Sequence, residues 1–346
     1  MRIATITYSW AQNWGAVLQA YALVEYLNSI GHEARLIDYR PFDNKLISTV
    51  KSIPDGIVDL LTIPASKKRI DRYNEFRINA LKLTQKCNTT DELKELNNEF
   101  EAFITGSDQV WNVGLGVCKD FYLEFAEESK KRISYAASFG VKSIPEEHKK
   151  DTIEGINNIQ AISVREESGK KIVSDLTGRE ATVVLDPVFL LDADHWRKVS
   201  RKSGQEGKYI FVYPTQVTET LKNTVKQLKK ETGLMAISPF YVPGCKTIKD
   251  IGPREFIDYI ANAEYIVASS FHATAFSILF EKKLFVVAHS QTGSRTIDLL
   301  KDLNMQKCII TKDSCIFNVK WDYNEIRERV KARKEISRKF IDKALK

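Results

Sequence analysis

The sequence predicts an α/β protein made of two Rossmann-like domains, and three observations carry that prediction. Its 346 residues suit two domains at roughly 150 residues each. Short apolar runs alternate with helical stretches along the chain, as in parallel sheets with crossover helices. Past the middle of the chain stands Arg201 to Lys208, a charged and glycine-containing segment of the kind that links domains. The expected boundaries are 1–200 for an N-terminal domain, 201–324 for a C-terminal domain and 325–346 for a basic helix packed back across the domain junction.

The opening run RIATITY, Arg2 to Tyr8, reads as a strand. In GAVLQAYALVEYLNSIG, Leu18, Tyr21, Ala22, Leu27 and Ile30 recur at helical spacing, so an amphipathic helix is expected, with Gly31 placed to end it. ARLIDY, Ala34 to Tyr39, follows as a second strand and completes a right-handed βαβ unit. The stretch Ile47–Ser66, with Pro54 and Pro64, reads as an irregular loop or excursion. Four more strands are expected to end at Gly106, Ser138, Arg165 and Pro187, with helices over Ser66–Ala80 and Pro145–Asn158.

After Lys208 the alternation restarts. YIFVYP, GLMAISP, EYIVASS and KLFVVAHS read as strands, separated by helices through Leu221 and Leu228, from Pro253, and from His272. Two successive Rossmann-like domains suggest a ligand cleft between them, lined by loops at the carboxyl ends of strands.

Composition narrows the function. Hydrophobic residues are 43% and charged residues 28%, with 16 Gly and 9 Pro, which excludes a disordered or collagen-like chain. No window reaches the ~18 uncharged apolar residues of a membrane-spanning helix, and a cytoplasmic location is expected. Cys87, Cys118, Cys245, Cys308 and Cys315 are 31, 127, 63 and 7 apart, a spacing with no CxxC and no zinc pattern, so they read as reduced thiols. The net charge is +7, of which +5 lies between Glu325 and Lys346, from nine basic and four acidic residues. The rest is nearly balanced and carries no nucleic-acid motif, so a nucleic-acid partner is not expected.

Four loops carry the candidate chemistry. SWAQNWG follows the first strand, with Asn13 placed to cap a helix whose free N–H groups attract an anion, and with Trp14 beside it. It lacks GxGxxG. ITGSDQVWN gathers Ser107, Asp108, Gln109, Trp111 and Asn112 in one turn, hydrogen-bonding groups beside an aromatic face that suits a sugar ring. The alternative is an Asx-turn capped by Asp108. In SVREES, Arg165 leaves a strand as a planar fork fit for carboxylate or phosphate; a surface salt bridge to Glu166 or Glu167 is the competing reading. In VASSFHATAFSILF, Ser269, Ser270 and His272 meet the positive end of an apolar helix. His289, Gly293 and Arg295 follow the next strand, where Arg295 would add a cation. Asp192 and Asp194 read as a solvated turn, and no Walker A loop, GxSxG or HExxH is present.

Together NWGAVLQAYAL, FITGSDQVWN, SYAASFG, ISVREES, LDPVFLL and ASSFHATAFSILF resemble the polysaccharide pyruvyl transferase family, in the family's order, from about Arg2 to Arg295. The resemblance implies a GT-B-like fold with the site in the interdomain cleft. It implies phosphoenolpyruvate as donor co-substrate, a saccharide or lipid-linked saccharide as acceptor, a cyclic pyruvate ketal as product, and a place in capsule, exopolysaccharide or cell-wall glycan synthesis. It places the donor on Arg165 and on an Arg-Leu-His block that here reads Ser270, Phe271, His272. The histidine is kept and the arginine is not, which leaves Arg295 or a helix N-terminus to stand in.

Ketal formation needs a proton for the methylene carbon, a base for the attacking hydroxyl, cations for the acidic donor and stabilisation of a leaving phosphate. It needs no metal and no further cofactor. His272 is expected as general acid or phosphate ligand, Asp108 as base or sugar-hydroxyl acceptor and Arg165 as anion clamp. Asn13, Trp14, Ser107, Gln109, Trp111, Asn112, Ser269, Ser270 and Arg295 are expected to contact substrate. Two alternatives stay open: a GT-B-type glycosyltransferase or sugar-nucleotide enzyme, and a non-catalytic glycan- or anion-binding protein. The tail, with Ile326, Val330, Phe340 and Ala344 in a partial apolar stripe, either makes peripheral contact with an anionic membrane or packs back on the protein.

Overall fold

The computed structural model describes residues 1–10, 12–41, 66–288, 293–312 and 319–346. Residues 47–65 of the expected irregular stretch, His289 and Cys315 lie outside the described residues. In chain order the elements are β1 (Arg2–Ile6), α1 (Trp14–Ser29), β2 (Glu33–Tyr39), α2 (Lys67–Ala80), β3 (Leu83–Cys87), α3 (Thr90–Glu95), β4 (Ala102–Thr105) and β5 (Lys131–Ala137). Next come α4 (Glu146–Asn158), β6 (Ala161–Val164), α5 (Glu167–Thr177), β7 (Thr182–Val183), α6 (Ala193–Val199), β8 (Tyr209–Tyr213), α7 (Glu219–Thr232) and β9 (Met235–Ser238). The chain finishes with β10 (Lys246–Thr247), α8 (Pro253–Asn262), β11 (Tyr265–Ala268), α9 (Phe271–Leu279), β12 (Lys283–Val286), α10 (Ser294–Asp302) and α11 (Tyr323–Leu345).

The described residues form two compact units, one of residues up to 41 with 80–190 and 332–346, the other of 66–79 with 191–331. The first holds a sheet of seven strands in the order β3-β2-β1-β4-β5-β6-β7, the second a sheet of five in the order β10-β9-β8-β11-β12. The strand pairs of both are parallel. In each unit the first strand lies beside the fourth, so the order reverses there. β4 and β8 are buried along their whole length, which is why AFIT and YIFVY are unbroken apolar runs rather than alternating ones.

Three elements differ from expectation. α1 is not amphipathic: every residue from Trp14 to Val24 is buried, as are Tyr26 and Leu27. Its sequence is apolar nearly all round, which suits a helix covered on all sides. Gly31 does follow its end, at φ +93°. α2 forms where a helix was expected but belongs to the second unit, where Arg72 Nε stands 3.5 Å from Glu255 Oε1 and the Arg254 guanidinium lies 5.5 Å from the Phe76 ring centre. The division between units falls between 190 and 191. The charged segment expected as a linker is tied down inside the second unit: Arg201 pairs with Glu75 at 2.6 Å, and the Ser203 N–H donates to Asp258 at 2.8 Å.

α11 starts in the second unit, and its residues from 332 onward belong to the first. Ile326, Ser337, Ile341 and Leu345 are buried. The Leu185 N–H donates to Ser337 Oγ at 2.9 Å, and Arg333 donates to the Val183 carbonyl at 3.2 Å. Of the expected apolar stripe Ile326 is buried, while Val330, Phe340 and Ala344 are half-buried. Among the described residues no helix is long and apolar enough to cross a membrane.

Candidate active site

The loops after β1 and β4 in the first unit, and the loop after β11 in the second, lie where strand order reverses, the usual ligand crevice of an open α/β sheet. In the first unit, Thr7 after β1 donates from Oγ1 to the Ser107 carbonyl after β4, at 2.8 Å. In the second, the Thr215 N–H after β8 donates to Ser269 Oγ after β11, at 2.6 Å. Each unit thus ties a threonine to a serine across its central strand pair.

The first unit's centre is a buried ion cluster. Arg165 Nη1 donates to Asp186 Oδ2 at 3.0 Å, Nη2 stands 3.6 Å from Asp108 Oδ1, and Nε stands 3.8 Å from Glu166 Oε2. The Arg165, Asp186 and Glu166 side chains are at most 1% exposed, whereas Asp108 is 13% exposed and forms the cluster's open edge. Burial pulls the guanidinium pKa down, and the carboxylates of Asp186, Asp108 and Glu166 outweigh it, so the net direction is upward. Arg165 is therefore not a surface salt bridge: Asp186, Asp108 and Glu166 stand around its guanidinium, with Asp108 at the open edge.

The turn that carries Asp108 is fixed from several sides. Ser107 is fully buried; its N–H donates to Gln19 Oε1 at 2.9 Å, and its Oγ lies 2.8 Å from the Ala136 carbonyl and 3.0 Å from Asp186 Oδ2. Asp108 takes φ +71°, a left-handed conformation that Asp tolerates, and its carbonyl accepts from the Ser138 N–H at 2.9 Å. Ser138 Oγ in turn donates to Glu166 Oε1 at 2.7 Å.

Other expected contacts are committed inside the fold. Asn13 caps α1, its Oδ1 accepting from the Ala16 N–H at 3.2 Å. Trp14 is fully buried, so it offers no ring to a substrate. Trp111 is 2% exposed and stacks on Tyr122 with ring centres 5.2 Å apart; its indole N–H donates to the Phe121 carbonyl at 3.1 Å. The sugar-platform expectation fails for Trp111, and the substrate contact expected of Trp14 fails with it, because both rings are packed inside the protein. The Asn112 amide donates to Gln109 Oε1 at 2.8 Å, and Asn112 Oδ1 accepts from the Gly114 N–H at 2.9 Å. Gly140 closes over this pair: a Cβ there would lie 2.2 Å from Gln109 Oε1.

In the second unit, Ser269, Ser270 and His272 sit where β11 turns into α9. Ser270 is the helix N-cap, with Oγ accepting from the Ala273 N–H at 3.5 Å. His272, 8% exposed, lies in the first turn of α9, and Arg295, 9% exposed, lies in the first turn of α10 after β12. Both therefore stand at carboxyl-end loops of adjacent parallel strands. Among the described residues no group of three His, Cys, Asp or Glu could hold a metal ion.

Sequence reasoning missed Asp186, Gln19, Thr7 and Thr215. Asp186 had a signal, an Asp-Pro pair at a strand end, since Asp caps the 3-10 turn Pro187–Phe189. Gln19 had none, being one polar residue in an apolar helix.

The chain aligns end to end with solved UDP-GlcNAc 2-epimerases. One is the Neisseria meningitidis enzyme bound to UDP-GlcNAc, at TM-score 0.52 and 9% identity, covering 100% of this chain and 99% of that one. A putative UDP-N-acetylglucosamine 2-epimerase from Listeria monocytogenes also aligns at TM-score 0.52 and 9% identity, covering 98% and 90%. With the two parallel sheets, these likenesses define the class: a GT-B-like α/β protein with two Rossmann-like units. No protein of curated function matches the sequence. The polysaccharide pyruvyl transferase family model matches residues 13–291, and the chain belongs to that family of transferases.

Proposed function

We propose that the protein is a ketal-forming pyruvyl transferase that moves pyruvate from phosphoenolpyruvate to a sugar diol of a glycan or lipid-linked glycan, in capsule, exopolysaccharide or cell-wall glycan synthesis. The observation that carries this reading is the family match over residues 13–291, within which the Arg165 cluster and the His272 turn both fall. The reaction protonates the donor's methylene carbon and forms a C–O bond to one sugar hydroxyl. The second hydroxyl then closes the ketal at the same carbon as phosphate leaves.

His272 is assigned as general acid or phosphate ligand, and Asp108 as base for the attacking hydroxyl. Asp108 is suited to this by being the exposed member of its cluster. Arg165 Nη2, beside Asp108, is the cation offered to an acid group of the donor. Arg295 and the N-terminus of α9 supply the second positive site that position 270 lacks.

The test is thermal stability with phosphoenolpyruvate, a panel of nucleotide sugars and plain phosphate, because a ligand that binds the folded state raises the melting temperature. A shift specific to phosphoenolpyruvate and lost in folded Arg165→Lys supports pyruvyl transfer. A shift with a nucleotide sugar instead would move the protein to sugar-nucleotide chemistry on the same fold.

A further inference from the structure

We propose that Asp186 is the positioning residue of the active site, acting through Arg165 and the Ser107–Asp108 turn. The proposal rests on the reading of Arg165 and Asp108 as groups that meet the substrates.

Asp186 is completely buried and reaches three different parts of the first unit. Its Oδ2 receives Arg165 Nη1, from the end of β6, at 3.0 Å and lies 3.0 Å from Ser107 Oγ, after β4. Its Oδ1 accepts from the Val188 N–H at 3.1 Å. One carboxylate therefore joins the strand-end arginine and the turn bearing Asp108 to a single base.

That base is itself held. The Leu185 carbonyl accepts from the Tyr135 hydroxyl at 3.0 Å, the Leu185 N–H donates to Ser337 on α11 at 2.9 Å, and Pro187 fixes the backbone on the other side. Of the ion pairs of Arg165 with Asp186, Asp108 and Glu166, the first is at hydrogen-bond length; the others are 3.6 and 3.8 Å. Because the guanidinium is rigid and planar, anchoring Nη1 sets the direction of Nη2. Asp186 thereby aims Nη2 at the open edge without meeting the substrate.

A carboxylate that only stabilised the fold would lower the melting temperature and leave turnover per folded molecule unchanged. The test compares Asp186→Asn, Arg165→Lys and the double variant in kcat, in KM for phosphoenolpyruvate, in melting temperature and in the melting shift that phosphoenolpyruvate produces. Asp186→Asn is expected to lower kcat/KM per folded molecule by roughly 10- to 100-fold, the scale of a small misplacement at a reacting centre. The double variant is expected to fall no more than about 2-fold below the worse single one, since both changes release the same contact.

Full turnover in folded Asp186→Asn, or losses that multiply in the double variant, would overturn the proposal. Should Asp186→Asn not fold, Ser107→Ala and Tyr135→Phe carry the comparison; wild-type kcat in both overturns it. A wild-type protein that shows no shift with phosphoenolpyruvate removes the functional reading and this role together. A shift and turnover that both survive in Asp186→Asn remove the role alone.

Discussion

Arg165 and Asp186 form a 3.0 Å ion pair in which neither side chain is more than 1% exposed, and Asp108 and Glu166 complete a ring of three carboxylates around one guanidinium. A buried charge set of this kind is costly to break from one side, since the remaining carboxylates lose their counter-charge.

Arg165→Met should therefore destabilise the protein by about 3–5 kcal/mol, the usual cost of removing one member of a buried pair. Arg165→Lys, which keeps a charge but not the fork, should fold with reduced turnover. Urea unfolding midpoints check the first, and turnover at matched folded fraction checks the second. A stability change in Arg165→Met no larger than that of a surface substitution would contradict the buried cluster.

His272→Ala should lower turnover by ~100-fold or more, the scale of general acid catalysis. The phosphoenolpyruvate melting shift should shrink with it. Initial rates and melting curves suffice; wild-type turnover would remove His272 from the mechanism.

Trp111→Ala should cost about 3–5 kcal/mol of stability, as for other buried aromatic truncations, because its ring is stacked on Tyr122. If Trp111 were instead a sugar platform, acceptor KM would rise with little change in the unfolding midpoint. Chemical denaturation beside acceptor kinetics separates the two.

Alkaline pH should weaken the fold through its thiols. Burial, with Glu92 adding to it, raises Cys87 from an ordinary 9.0 to about 11; burial, with Asp120 adding to it, does the same for Cys118. The folded protein keeps these thiols protonated after the unfolded chain has lost its protons. The stabilisation is present below pH 9 and is lost as pH rises from 9 toward 11. Unfolding midpoints between pH 8 and 11 check the sign, and Cys87→Ala with Cys118→Ala should lessen the fall, with the raised thiols of Cys245 and Cys308 left to contribute the rest.

Much of the fold was legible from pattern. The strand ends at Gly106, Ser138 and Arg165 are strand ends, and the loops carrying Ser107, Asp108, Ser269 and His272 lie at the reversal of strand order. Trp111 misled because residue type suggests an exposed aromatic, whereas its indole N–H bonds to the Phe121 carbonyl and its ring stacks on Tyr122 in the core. α2 misled because sequence order assigns a helix to its neighbours, and packing gave this one to the second unit.

By itself the sequence determined the α/β class, the alternation of elements and the residue types at the strand ends, because these follow from local periodicity and turn chemistry. Its ordered motifs also carried the family. Only the tertiary structure decided that Arg165 is enclosed by Asp186, Asp108 and Glu166, and that Ser337 of α11 meets the Leu185 N–H. Those relationships join residues far apart in the chain, and no local pattern records which distant side chain a buried charge will meet.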